Sequence, residues 1–309
     1  MEAILDWGVR IVLWLQQSSP SLDLPFKILT FMGNEGFFIL VLPLIYWCVD
    51  RRTGVRLSIL FLFSAYVNSA AKVFVSQLRP FQYDTRVKEI VSAGGGGFPS
   101  GHTQGALVLW GYLALHFRRP FLWVIAGVLI ILIPLSRLYL GVHFPTDLLG
   151  GYLIGAILLL LYLWFEPKVA QWFVKKGVLW QICAVLVVPS LMIFFCPGEG
   201  KYGIGSAATL MGMGMGFIFE RLWVGFECPR FWRNRILCFL LGMGVLLLLR
   251  SGLRVSLSGL EPESFFRFVR YALMGLWCGF GAPWTFLKLG MVDEEQGGTG
   301  ERVPLNLNS

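Results

Sequence analysis

The sequence has little charge for its length. Only 14% of its 309 residues are charged, whereas 56% are hydrophobic, and the mean hydropathy is +0.68. A soluble domain carries about 25% charged residues, so this composition excludes one. Several apolar runs of about 20 residues match the thickness of a bilayer and are too long for the short alternating strands of a barrel. The sequence therefore predicts an integral membrane protein built from helices.

Three further absences exclude other kinds of site. The six cysteines have no CxxC spacing, so neither a zinc site nor a disulfide framework is indicated. Asp, Glu and His form no surplus cluster that would hold a metal, so we expect no metal and no cofactor. The net charge of +8 comes from basic residues in short loops, which membrane insertion explains without nucleic-acid binding.

Apolar run lengths predict an all-α fold, a polytopic membrane helical bundle of about nine transmembrane helices. An amphipathic interfacial helix over 3–17 precedes them, because Asp6 and Arg10 interrupt a run too short to span. The alternating Met-Gly sequence at 211–216 has the small-residue spacing that lets helices pack closely. The predicted spans are 26–49, 55–75, 100–117, 121–138, 146–165, 178–196, 204–223, 236–249 and 268–289.

These helices divide the chain into four regions. They are an N-terminal interfacial helix (1–25), a core of five transmembrane helices (26–165), a four-helix membrane region (166–290) and a tail (291–309). The tail is polar and glycine-rich, which predicts disorder.

Nine spans would bring three polar clusters, 72–80, 99–102 and 136–147, to one face of the membrane. Dense basic turns such as Arg51-Arg52 and Arg118-Arg119 lie on the other face, which the positive-inside rule makes cytoplasmic. The clusters are thus predicted to face outward. The lack of an Asn-x-Ser/Thr sequon and of a retention signal favours a bacterial inner membrane, with the site facing the periplasm, over the endoplasmic reticulum.

The cations and one helix start in these clusters indicate a site for a phosphate. Lys72, Arg79 and Arg137 can neutralise a phosphate dianion and the equatorial oxygens of its transition state. Ser100 and Gly101 follow Pro99 at a predicted helix start, whose free amides attract an anion, and glycine permits close approach of the phosphate.

The two histidines in the clusters have separable chemistry. His143 precedes Asp147 by four residues, so it can donate one ring N–H to the carboxylate and present its other nitrogen as a nucleophile. His102 is placed to protonate a leaving oxygen and then to activate water. Together they predict a metal-free phosphohistidine mechanism. Taken singly, each cluster has a simpler explanation. Lys72 and Arg79 could extend their charged groups to the membrane interface, and the role of the PSGH segment could be no more than to start a helix.

The three clusters together resemble the phosphatidic acid phosphatase type 2 superfamily. Its motifs K-x6-RP, PSGH and SR-x5-H-x3-D occur in order, beginning at Lys72, Pro99 and Ser136. The resemblance implies a lipid phosphatase with His143 as nucleophile, His102 as acid and base and Asp147 as the residue that orients the nucleophile. It also implies a phosphate bound by Lys72, Arg79, Ser100, Gly101 and Arg137. The segment 33–37, GNEGF, is more loosely similar to the sphingosine-1-phosphate phosphatase branch, and the nine-span layout to glucose-6-phosphatase.

The predicted function is hydrolysis of a lipid phosphate or lipid diphosphate by an integral membrane phosphatase at the extracytoplasmic face. A lipid-linked phosphotransferase on the same scaffold and a non-catalytic anion or lipid transporter are the alternatives. The expected partners are the lipid substrate and the membrane, without nucleic acid. The identity of the lipid and the oligomeric state stay open.

A few polar residues have competing interpretations. His116 lies at the opposite end of its helix from His102 and is assigned to the interface. Glu35 is assigned a capping or interfacial role rather than contact with a headgroup, and Arg250 an interfacial role. The four glycines 94–97 fit either a mobile flap over the site or a slack connector.

Overall fold

The computed structural model describes residues 2–195, 201–257 and 259–292. Over these ranges every regular element is a helix, which confirms the all-α prediction. Cys196, at the predicted end of the sixth span, and the predicted tail beyond Val292 lie outside the described residues.

Thirteen α-helices and two π-helical turns make up the described chain. They are α1 (Glu2–Gln16), α2 (Asp23–Phe31), α3 (Glu35–Leu44) with a π-helical turn (Ile45–Val49), α4 (Arg51–Val75), α5 (Pro80–Tyr83), α6 (Gly101–Phe117), α7 (Pro120–Tyr139), α8 (Pro145–Val174), α9 (Val178–Phe194), α10 (Lys201–Trp223), α11 (Trp232–Ser256), α12 (Glu263–Leu276) with a second π-helical turn (Trp277–Gly281), and α13 (Ala282–Lys288).

Local side-chain chemistry sets several helix ends. The Asp50 carboxylate accepts the N–H of Thr53 at 2.6 Å and caps α4, and the Ser100 hydroxyl caps α6 in the same way. Helices α7 and α8 begin with proline, whose missing N–H is not needed in a first turn. Most helices begin and end close to their predicted limits, but α8 continues to Val174.

The first predicted span is not one continuous helix. The structure divides it into α2 and α3, which meet at an angle of 48°. The break falls at Gly33 and Asn34, both unfavourable in helix interiors, so the prediction of an unbroken helix over 26–49 was wrong. The break turns Thr30 and Asn34 toward the polar clusters.

The predicted count of nine spans is not confirmed. Among the described residues, four helices are long and apolar enough to cross a membrane, or five if the bent pair α2–α3 is one span. The four are Arg51–Tyr83, Pro120–Tyr139, Pro145–Val174 and Trp232–Ser256. Helices α6 and α9 have 17 residues each, which at about 1.5 Å per residue is shorter than a bilayer core of about 30 Å. The last predicted span is divided among α12, a π-helical turn and α13.

The C-terminal helices pack directly on the predicted core. Helix α10 contacts α4, α9 and α12, and Gly212 on α10 lies so close to Ala272 on α12 that a β-carbon there would overlap its backbone. This confirms that the Met-Gly segment permits close helix packing. The indole N–H of Trp47 donates to the carbonyl of Cys278 at 3.0 Å, which ties the first π-helical turn to the second. Both halves therefore share one interior.

Helix α1 covers the loop that follows α7. Its Val9 and Val12 are buried against Val87 and Phe144, the residue next to His143. The Gln16 amide donates to the carbonyls of Lys88 at 2.8 Å and Tyr139 at 3.0 Å. The predicted N-terminal helix is thus present, and its buried face holds the loop in place.

Candidate active site

The structure brings the three polar clusters together around one cavity of about 1100 Å³. The side chains that reach it include both predicted catalytic histidines and all three predicted phosphate-binding cations, namely Lys72, Arg79, His102, Arg137 and His143. Asp147 and Ser100 lie behind this lining and are fully buried. Because α4, α6, α7 and α8 each deliver part of the cluster, the ends of these helices assemble the site.

His143 is held by Asp147 through one ring nitrogen. Its Nδ1 lies 3.1 Å from Oδ2 of Asp147, and the same oxygen accepts the backbone N–H of Phe144 at 2.9 Å. The other carboxylate oxygen accepts from the side-chain amide of Gln77 at 2.8 Å. This network fixes the ring, so Nε2 is the nitrogen available for chemistry.

The surroundings of His143 favour its neutral form. The ring is 2% exposed and lies in the loop between α7 and α8. Burial, followed by the nearby charges of Arg137, Lys72 and Arg79, lowers the pKa of His143 well below its ordinary value. A neutral imidazole keeps the lone pair that a nucleophile needs.

The glycine run 94–97 lies over two of the cations. Arg79 donates from Nε to the carbonyl of Gly95 at 3.1 Å and from its second terminal nitrogen to that of Gly94 at 2.8 Å. Lys72 Nζ donates to the carbonyl of Gly96 at 2.8 Å. The run is therefore neither remote from the site nor a slack connector in this state. A phosphate that binds these cations must compete with backbone carbonyls.

Arg137 offers a donor to an incoming anion. It is 5% exposed, and one terminal nitrogen donates to the Thr30 hydroxyl at 2.5 Å. Its Nε has no hydrogen-bond partner among the described residues. A buried unsatisfied guanidinium N–H is costly, and an anion in the cavity would relieve that cost.

The PSGH segment starts a helix at the cavity, as predicted. The backbone N–H of Ser100 donates to the carbonyl of Asp147 at 2.9 Å, which joins the second and third clusters. A β-carbon added to Gly101 would lie 2.9 Å from Oδ1 of Asn68, so glycine permits the close packing of α6 on α4. The Ser100 N–H is used in this contact and its hydroxyl oxygen accepts from the N–H of Thr103, so Ser100 shapes this helix start, and its contact with a phosphate stays a prediction.

Three polar residues that contact the predicted site were missed in the sequence. Gln77 supports Asp147, Thr30 supports Arg137, and Asn34 Oδ1 lies 2.8 Å from Nε2 of His102. Gln77 falls within the spacing of the first motif, and Asn34 within the segment 33–37. The positions of Gln77 and Asn34 within these segments could have identified them as site residues. A neutral side-chain amide in an apolar chain is, however, much less conspicuous than a charged group.

Of two other polar residues, His116 lies away from the cluster, whereas Glu35 lines the cavity next to Asn34. His116 Nε2 is 2.8 Å from the Thr53 hydroxyl, near the start of α4, whereas Lys72 is near its end. Glu35 accepts from the Tyr271 hydroxyl at 3.2 Å and from Arg250 at 3.5 Å. Glu35 therefore links α3 to the C-terminal helices.

The donor set suits an anion better than a metal ion. The motif cluster brings three cationic side chains and two imidazoles to the cavity, and the carboxylate of Asp147 behind them already accepts three hydrogen bonds. The described residues contain no group of three or more His, Cys, Asp or Glu that could hold a metal. The arrangement can bind a phosphate and attack it with an imidazole.

Two family models match the chain. The model of the PAP2 superfamily matches residues 53–171, which contain all three motifs. The model described as PAP2 superfamily phosphatase, transmembrane extension, matches residues 204–295. The second match covers most of α10 to α13, the helices that the motifs leave out.

Individual relatives share this pattern at modest identity. Phosphatidylglycerophosphatase B of Bacillus subtilis is 28% identical over 156 residues, which are 46% of this chain and 74% of that protein. Sphingosine-1-phosphate phosphatase 2 of Mus musculus is 30% identical over 196 residues, which are 60% of this chain and 53% of that protein. This chain therefore spans about half the length of the mouse protein. A crystal structure of the transmembrane PAP2 type phosphatidylglycerolphosphate phosphatase from Bacillus subtilis is 26% identical, with a TM-score of 0.47, and covers 54% of this chain and 88% of that one.

Proposed function

The chain belongs to the PAP2 superfamily, and from this premise we propose that it is a membrane phosphatase that removes phosphate from a lipid phosphate or lipid diphosphate. The histidines and cations indicate the reaction, and the shape of the cavity indicates the substrate class. The names of the relatives are consistent with both.

The observation that carries the lipid assignment is the continuity of the cavity. The cavity that contains Lys72, Arg79 and Arg137 is also lined by apolar side chains from both halves of the chain, including Leu42, Met213, Leu246 and Met274. Such a cavity fits an amphiphile whose phosphate lies among the cations and whose hydrocarbon chain lies among the C-terminal helices. A soluble sugar phosphate has no hydrocarbon chain to cover these apolar side chains.

In the first step, Nε2 of His143 attacks the phosphorus atom of the bound phosphate. A nitrogen–phosphorus bond forms, and the bond between phosphorus and the lipid oxygen breaks. His102 gives a proton to that oxygen, so the lipid leaves as an alcohol, or as a lipid monophosphate from a diphosphate. Asp147 accepts the Nδ1–H of His143 and stabilises the positive charge that develops on the ring.

In the second step, water attacks the phosphohistidine. His102 takes a proton from the water, the new oxygen–phosphorus bond forms, and the nitrogen–phosphorus bond breaks to release inorganic phosphate. Lys72 and Arg137 neutralise the phosphoryl oxygens throughout. Arg79 contributes when phosphate replaces one of its glycine carbonyls.

We place the site at the extracytoplasmic face. Helix α4 begins at Arg51-Arg52 and carries Lys72 near its far end, while α6 begins at the cavity and ends next to Arg118-Arg119. The dense basic turns therefore lie at the helix ends opposite the site, which the positive-inside rule makes cytoplasmic. The choice of a bacterial inner membrane rests on the sequence argument alone.

The test is phosphate release by the purified protein. Phosphatidic acid, a polyprenyl diphosphate and a sphingoid phosphate would be supplied separately, with and without EDTA. We expect release from at least one lipid, unaffected by EDTA and abolished in His143→Ala. His116→Ala is the matched control, because it removes a histidine at the other end of α6 and should keep activity. Equal activity in His143→Ala and wild type would contradict the mechanism.

A further inference from the structure

The side chain of His102 is held by the break between α2 and α3. Asn34 occupies the position before the first residue of α3, with extended backbone angles (φ −84°, ψ 156°). An asparagine there ordinarily caps its own helix. Here the Asn34 side chain makes no capping bond, and its Oδ1 lies 2.8 Å from Nε2 of His102 instead.

Gly33 defines the other side of the same contact. A β-carbon added to Gly33 would lie 2.5 Å from Cδ2 and 3.0 Å from Cγ of His102. The imidazole is therefore packed directly against the Gly33 backbone while Asn34 engages its Nε2. The absence of a side chain at residue 33 and the amide at residue 34 together fix the orientation of the ring.

The same break also supports a phosphate-binding residue. Thr30, in the last turn of α2, accepts from the Arg137 guanidinium. A segment of five residues, 30–34, thus contacts both the predicted acid–base residue and one predicted phosphate ligand. The break gives Asn34 extended backbone angles, so its side chain is free of the helix that it precedes and contacts His102 instead.

We propose that Asn34 is a positioning residue for His102. An amide oxygen only accepts hydrogen bonds, so it keeps a proton on Nε2 and fixes the tautomer and orientation of the ring. Gly33 leaves room for the ring in that orientation. This inference rests on the proposed function, because it assigns Asn34 to the protonation of the lipid leaving group.

A leaving-group comparison separates this role from general support of the fold. An alkyl phosphate needs a proton on its leaving oxygen, whereas p-nitrophenyl phosphate releases a stable anion without one. Because kcat/KM reports only the steps up to release of the leaving group, loss of His102 orientation should lower kcat/KM for the first substrate and spare it for the second, although His102 activates water afterwards in both. A structural defect would slow both substrates equally.

The experiment measures kcat/KM of Asn34→Leu with octyl phosphate and with p-nitrophenyl phosphate. Misplacement of a catalytic group by about 1 Å can cost on the order of 100-fold, so we expect a 10- to 100-fold loss with octyl phosphate. We expect little change with p-nitrophenyl phosphate, which also shows that the variant is folded. His102→Ala should give the same pattern with a larger loss.

Two matched controls identify the contact. Gly33→Ala should reproduce the selective loss, because its β-carbon meets the His102 ring, whereas Gly36→Ala should not, because its nearest neighbour is at 3.9 Å. Asn234→Leu removes an asparagine that bonds the carbonyl of Met291 and should leave the ratio of the two rates unchanged.

Asn34→Asp tests the direction of the hydrogen bond. The carboxylate keeps the acceptor and adds a charge that stabilises the imidazolium, so octyl phosphate activity should be retained and its alkaline limit should move to higher pH. Loss of activity in Asn34→Asp, or an equal loss with both substrates in Asn34→Leu, would overturn the proposal. The proposed function fails separately, if the wild type releases phosphate from none of the three lipids.

Discussion

Lengthening the hydrocarbon chain of the substrate should raise kcat/KM until the chain fills the apolar end of the cavity. The account places the phosphate among Lys72, Arg79 and Arg137 and the chain against residues such as Met213 and Met274. Each added methylene is then transferred from water to an apolar surface. A soluble phosphate of similar size gains no binding free energy from these apolar side chains.

The size of the effect follows from the transfer free energy. A buried methylene contributes about 0.8 kcal/mol, which corresponds to about a fourfold rise in kcat/KM per carbon. The rise should stop once the chain exceeds the cavity of about 1100 Å³. The assay is phosphate release from alkyl phosphates of increasing length, each below its micelle concentration.

A variant in α10 tests whether the C-terminal helices form the apolar lining that contacts the hydrocarbon chain. Thr209 of α10 lines the cavity, and its hydroxyl donates only to the carbonyl of Gly205 within the same helix. Thr209→Phe should move the plateau to shorter chains. If the new ring excludes about two methylenes, kcat/KM for long chains falls about 15-fold. The shortest substrates should be hydrolysed as before.

The control is Leu222→Phe, on the same helix at a position that is 42% exposed and outside the cavity. It should leave the chain-length profile unchanged. If kcat/KM does not depend on chain length in the wild type, or if Thr209→Phe behaves like Leu222→Phe, the cavity is not the lipid site and the reasoning is wrong.

Three further predictions concern the catalytic end of the cavity. Gln77→Leu leaves Oδ1 of the buried Asp147 without its donor, which should cost on the order of 1.5–3 kcal/mol of stability in a thermal or denaturant unfolding assay. Burial and neighbouring cations lower the pKa of His143, so the nucleophile stays neutral as the pH falls. The acid limit of kcat/KM should therefore lie below 6.5, the ordinary pKa of histidine, and a limit above 6.5 would contradict this. Gly95→Ala forces an alanine to a φ of +71° and displaces a carbonyl that competes with phosphate for Arg79, so KM should fall. An unchanged KM would show that this contact is unimportant.

The catalytic cluster could be predicted because ionisable residues are conspicuous in so apolar a chain. Lys72, Arg137 and His143 are costly near a membrane unless they have a function, and their spacing forms recognisable motifs. Helix positions followed from the length of the apolar runs. The sequence alone therefore identified the residues that the structure brings to one cavity.

The supporting contacts could not be predicted in the same way. Gly33 and Asn34 interrupt an apolar run too briefly to change its average hydropathy, so the break between α2 and α3 was missed. The acceptors for Lys72 and Arg79 are backbone carbonyls, which have no signature in residue type. The predicted number of spans is not confirmed, because hydropathy does not separate a short buried helix from one that crosses the bilayer.

The most direct test of the central claim is to trap the phosphoenzyme. The purified protein would be mixed with a radiolabelled lipid phosphate, quenched in alkaline denaturant and analysed by peptide mapping. The account predicts an alkali-stable, acid-labile label on the peptide that contains His143, and no label in His143→Ala. Label on another residue, or turnover of the lipid by His143→Ala, would contradict it.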